Sequence, residues 1–181
     1  MWPFRKKPDS AEALKTLGNA RKARGDATGA IASYRRSLEI SPGYLPALYN
    51  LGLTLHELSR LDEAERCFRR VIELDPIDAD ALFHLGALLH KRAEPQEAAR
   101  MYRRALRRTP DNPHLWLALG AALGELPAET EEAIRCQREA RRLLEQAIER
   151  DPKSPYERNA LGNACSRKAD ATTRSSNTGC R

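Results

Sequence analysis

Apolar residues recur along this chain at the spacing of helices, not of strands. Leu48, Leu51, Gly52 and Leu55 stand at i, i+3, i+4 and i+7, one face of a helix. After a polar turn around Ser59, Arg60, Leu61 and Asp62, the residues Ala64, Phe68, Val71 and Ile72 make a second such face. Gly52 and Ala64 are small where two helices must approach closely, and Phe68 fills the space beside them. Pro76 then stops the second helix, because proline lacks an N–H and clashes with the preceding turn. Start signals agree: Asp78, Asn112 before Pro113, and Ser154-Pro155 with Glu157 as a capping box. Strand-type alternation is absent, so the pattern predicts an all-α chain built of helix pairs.

The pattern is periodic. Leu17-Gly18, Leu51-Gly52, Leu85-Gly86 and Leu119-Gly120 are evenly spaced, and Pro42, Pro76 and Pro110 keep the same interval. Ala30, Ala64 and Ala98 follow it, as do Tyr34, Phe68 and Tyr102. This order of large residue, Leu-Gly, Ala, aromatic, small residue and Pro resembles the tetratricopeptide repeat, across about residues 11–169. The resemblance implies a right-handed α-solenoid of antiparallel helix hairpins. Four hairpins are expected, at 11–44, 45–78, 79–112 and 113–154, after a basic N-terminal segment at 1–10.

Two departures stand out. The fourth unit carries eight extra residues between its helices, and Glu129 to Arg150 contains neither Pro nor Gly. Its second helix is therefore expected to start about two turns early, with Glu129, Glu131 and Glu132 near the positive end of the helix dipole. A fifth unit begins with Tyr156, Ala160, Leu161 and Gly162, but Arg158 replaces the expected apolar residue. A capping helix over 155–169 and a disordered tail over 170–181 are expected.

Composition changes the picture only at the ends. The net charge of +6 comes from residues 1–10 and 141–181, while 11–140 balances its basic residues with acidic ones and is neutral. A basic balance made at two ends argues weakly for nucleic acid. The periodic pairs Arg35-Arg36, Arg69-Arg70 and Arg103-Arg104 read as structural, with Glu39, Glu65 and Glu73 close by and no interleaved aromatics for base stacking. No run approaches the roughly 18 apolar residues of a membrane span. The basic start is followed by no apolar run, which argues against a secretory signal and for the cytoplasm. The cysteines Cys67, Cys136, Cys165 and Cys180 lack metal-type spacing and read as reduced thiols.

No catalytic motif is present, so no enzyme, cofactor or metal is expected from this chain. His56 and His90 hold equivalent repeat positions, and the histidines read as solvated side chains lining a groove. The resemblance implies that first helices line a concave groove for a protein or peptide partner. On that basis the partner-binding residues are Lys15, Asn19, Tyr49, Asn50, Leu53, His56, Phe83, His84, His90 and Leu117, with Tyr49, Phe83 and Leu117 as an apolar ladder. Lys15, Asn19 and Asn50 also match three residues of the family's five-residue carboxylate clamp; the other two positions hold Asp80 and His84, which do not suit an anion. The expected function is a scaffold or adaptor. The alternative is the substrate-recruiting part of a protein-modifying enzyme such as a glycosyltransferase, with its catalytic part elsewhere.

Overall fold

A computed structural model describes residues 10–152, 155 and 157–162 of the chain. The basic start at 1–9, Ser154 of the expected capping box, residues 163–169 of the expected capping helix and the tail at 170–181 lie outside the described residues. Two compact units divide the chain, Met1–Leu88 and Leu89–Arg181. Among the described residues there is no strand. The helices are α1 (Ala11–Ala23), α2 (Ala27–Ile40), α3 (Leu45–Glu57), α4 (Leu61–Leu74), α5 (Ala79–Lys91), α6 (Pro95–Arg108), α7 (Pro113–Gly124) and α8 (Thr130–Arg150). Residues 157–162 are helical as well.

In the first unit α1 packs on α2, α2 on α3 and α3 on α4, with α1 also touching α3. In the second unit α6 packs on α7 and α7 on α8. The cores are the periodic residues of the sequence: Ala30, Tyr34, Leu55, Ala64, Phe68 and Val71 in one unit, Ala98, Tyr102, Leu119, Ala140 and Leu144 in the other, all at most 2% exposed. Leu17 shows what one hairpin does for the next. Its counterpart Leu51 is buried beside Leu38 of α2, whereas Leu17 in the first hairpin is 41% exposed.

Helix starts follow the caps. Ser10 Oγ accepts from Ala13 N–H, Asp26 Oδ1 from Gly29 N–H, Asp78 Oδ1 from Ala81 N–H, and Asn112 Oδ1 from His114 N–H. Each satisfies a backbone donor that the first turn leaves open.

The turns inside the hairpins repeat as strictly as the core. Gly25, Ser59 and Ala93 all have positive φ, at 82°, 59° and 59°. In each turn that residue's N–H bonds back to a carbonyl three residues earlier, and the next N–H reaches one five residues earlier: Arg21 O, Leu55 O and Leu89 O in turn. This is the Schellman closure of a helix C-terminus. Its left-handed residue suits glycine and strains serine or alanine by about 1–2 kcal/mol. Ala93→Gly should therefore raise stability by about 0.5–1 kcal/mol, read as a higher urea midpoint. An unchanged or lowered midpoint would show the turn to be unstrained.

The same register explains the fourth hairpin. Pro127 occupies the position of Gly25, Ser59 and Ala93, and proline holds φ near −65°, so this closure is forbidden there. The chain instead makes a 3-10 turn at Pro127–Glu129 and begins a 21-residue helix, against 14 residues in α6. Glu129 and Glu132 are not offered outward from that extension. Both hold the Arg103 guanidinium of α6, Nη2 donating at 2.7 Å to each. Glu131 stays exposed.

Candidate functional site

In the first unit, consecutive first helices meet through side chains that the sequence assigns to a binding groove. Asn19 of α1 and Asn50 of α3 are brought together, Asn50 Nδ2 donating to Asn19 Oδ1 at 3.0 Å. The same oxygen takes a second hydrogen from the Tyr34 hydroxyl at 2.8 Å. Tyr34 is 1% exposed, so its hydroxyl needs a partner inside the fold. Asn19 thus has a structural duty that the sequence reading did not assign. Lys15, half-buried on α1, makes no hydrogen bond or ion pair with a described residue. Lys22 is held by Glu57 at 2.8 Å.

Farther along, Tyr49, Phe68 and Phe83 come together around His84. The Tyr49 ring lies edge-on to Phe68 and to His84, with centroids 6.0 and 5.7 Å away. His84 stacks on Phe68 at 5.3 Å and 15°, and meets Phe83 edge-on at 5.3 Å. His84 is therefore a packed ring and not the solvated side chain expected from sequence. The reason is Gly52: a Cβ there would sit 3.0 Å from Phe68 Cε1, so its absence lets Phe68 reach through to the first-helix row. Burial, then the charge of His56, push the His84 imidazole below its usual range, although Asp80 and Asp78 act the other way. The net effect favours the neutral ring. Leu53 and His56 are half-buried on α3.

At the N-terminal ends of α3 and α5 a cavity of about 210 Å³ is lined by Leu45, Pro46, Tyr49, Asp78 and Asp80. Sequence reading assigned Asp78 only to a cap and missed Leu45 and Pro46. The signal was available, because Pro46 and Asp80 hold one repeat position in neighbouring hairpins.

The second unit holds the remaining expected residues. His90 Nε2 lies 2.8 Å from Glu125 Oε1, and Leu117 is half-buried on α7. Four arginines of the second helices are held by carboxylates: Arg35 by Glu63, Arg69 by Glu65, Arg70 by Glu73, and Arg103 by Glu129 and Glu132. These pairs lower the free positive charge that a phosphate backbone would need. Burial pushes the Cys67 and Cys136 thiols up to about 11, so neither is a thiolate nucleophile at neutral pH. Among the described residues no group of three or more His, Cys, Asp or Glu could hold a metal ion. No described helix is long and apolar enough to cross a membrane.

The family of the cilia and flagella-associated protein 70 middle TPR-like domain matches residues 14–144. The chain belongs to this tetratricopeptide-repeat family. Solved structures agree on the fold. The crystal structure of MamA superposes with a TM-score of 0.73 at 23% identity, covering 81% of this chain and 85% of that one. MamA from residue 41 onward of Desulfovibrio magneticus RS-1 gives 0.65 at 20% identity, covering 93% and 91%. YrrB, described as a TPR protein with an unusual peptide-binding site, gives 0.62 at 19% identity over 89% and 79%. Among curated proteins no sequence relative matches. Over its described residues the tetratricopeptide-repeat chain is all-α and made of consecutive helix hairpins.

Proposed function

We propose that this chain is a non-enzymatic adaptor that holds a peptide segment of a partner protein against its first helices. In the first unit the contacts would be Lys15, Asn19, Tyr49, Asn50, Leu53, His56, Phe83 and His84; in the second, His90 and Leu117. The observation that carries this reading is the row in the first unit where amides give way to rings. Asn19 Oδ1 is occupied by two donors, which leaves the Asn19 amide N–H groups and the second Asn50 N–H for peptide carbonyls. Half-buried Tyr49 and Phe83 beside them would anchor apolar side chains. A solvated backbone segment gains both kinds of contact at once, which is how extended peptides are recognised.

A photo-crosslinking amino acid tests the placement. Incorporated at Leu53 on α3 it should trap a partner, and at exposed Arg69 on α4 it should not. Trapping from position 69 and none from position 53 would move the binding surface to the second helices.

A further inference from the structure

The cavity at the start of α3 and α5 combines an apolar floor, an aromatic wall and two carboxylates. Leu45 and Pro46 supply the floor and Tyr49 the wall, the latter fixed by its edge-on contacts with Phe68 and His84. Asp78 spends Oδ1 on the Ala81 N–H at 2.7 Å, which leaves its second oxygen for another donor. Asp80 is exposed and makes no hydrogen bond or ion pair with a described residue. No lysine or arginine lines the cavity, so the positive dipole ends of α3 and α5 offset the two negative charges only in part.

We propose that this cavity receives the cationic side chain of an arginine or lysine in the partner's peptide. The assignment rests on the peptide-binding reading above and names the chemistry of one position in the bound segment. The methylene stem of such a residue would lie on Leu45 and Pro46, as long charged side chains do on apolar surface. Its charged head would meet the face of Tyr49 and the oxygens of Asp78 and Asp80. Arginine fits best, because a planar guanidinium stacks on an aromatic ring and donates to a carboxylate at the same time. The Tyr49 hydroxyl supports the same field: burial, then Asp80 and Asp78, push it up to about 12. The two residues that depart from the family's carboxylate clamp, Asp80 and His84, fall at or beside this cavity. The clamp's cations are replaced here by a site of the opposite preference.

The test is a titration of the full chain with N-acetyl-arginine amide, followed by heteronuclear NMR, with N-acetyl-citrulline amide as the uncharged isostere. Saturable shifts at Leu45, Tyr49, Asp78 and Asp80 are expected, with citrulline at least about tenfold weaker. Asp78→Asn with Asp80→Asn should weaken arginine by about tenfold or more without loss of helicity, since asparagine still caps α5. Absent shifts, equal shifts with citrulline, or no effect of the double substitution would overturn the proposal. A third arm replaces Arg5, Lys6 and Lys7 by alanine. Unchanged arginine affinity supports an external occupant, whereas tightening by about tenfold would make the chain's own basic segment the occupant and overturn the assignment. Crosslinking from Leu53 does not depend on these carboxylates, so it judges the groove separately from this cavity.

Discussion

Phe68→Ala should destabilise the chain by about 3–5 kcal/mol, the range for removing a fully enclosed aromatic ring. Phe68 is 0% exposed, and its ring is stacked on His84 and met edge-on by Tyr49. Deleting it removes apolar contact area and leaves a cavity below residues that a partner would touch. The cost falls in the first unit, so a denaturation curve followed by a probe there should shift. His84 gives an independent readout. Burial is the main cause of its depressed pKa, so opening the space beside it should bring the imidazole back toward 6.5. A loss below about 1 kcal/mol, with an unmoved His84 titration, would mean that the ring does not hold this cluster.

Gly18→Ala should destabilise as well, although alanine is the better helix former by about 1 kcal/mol. A Cβ at Gly18 would stand 2.7 Å from Tyr34 Cδ1 and 2.9 Å from its Cζ. Tyr34 is 1% exposed and cannot swing into solvent. Its ring would have to shift, drawing the hydroxyl off Asn19 and loosening the Asn19–Asn50 contact. Overpacking of this kind costs about 1–3 kcal/mol, and the weakened hydrogen bond about 1 more. Gly124→Ala is the internal control, since nothing lies within 4 Å of a Cβ there. The expected order is a lower urea midpoint for Gly18→Ala and an equal or higher one for Gly124→Ala. Equal gains at both positions would contradict the close approach of α1 and α2.

These two residues also show why the fold is legible in the sequence. Gly18 and Phe68 belong to a small-and-large pairing that recurs from one hairpin to the next, and a recurring pairing needs no tertiary knowledge to be seen. The turns were less legible. Gly25 announces a left-handed residue, but Ser59 and Ala93 take the same conformation without any compositional sign, because the hydrogen-bonded closure imposes it. Pro127 was readable in principle: placed in register it forbids that closure and accounts for the longer α8, an effect visible from sequence only as extra length.

The candidate site was legible in part. Repeat position marks Asn19, Asn50, Tyr49 and Phe83 as first-helix residues. It does not reveal that Asn19 also satisfies Tyr34, or that His84 is drawn into a stack by the space Gly52 leaves. Charge carried the least information at the level of the whole chain. The net +6 says nothing of a local acidic cavity, because two carboxylates beside a tyrosine are invisible in a sum.

The central claim is that first-helix rings hold a partner segment, and Tyr49→Ala combined with Phe83→Ala tests it most directly. Partner recovery from an extract, quantified by mass spectrometry against wild type, should fall by about tenfold or more while helicity by circular dichroism is retained. Recovery equal to wild type in a variant that keeps its helicity would contradict the account.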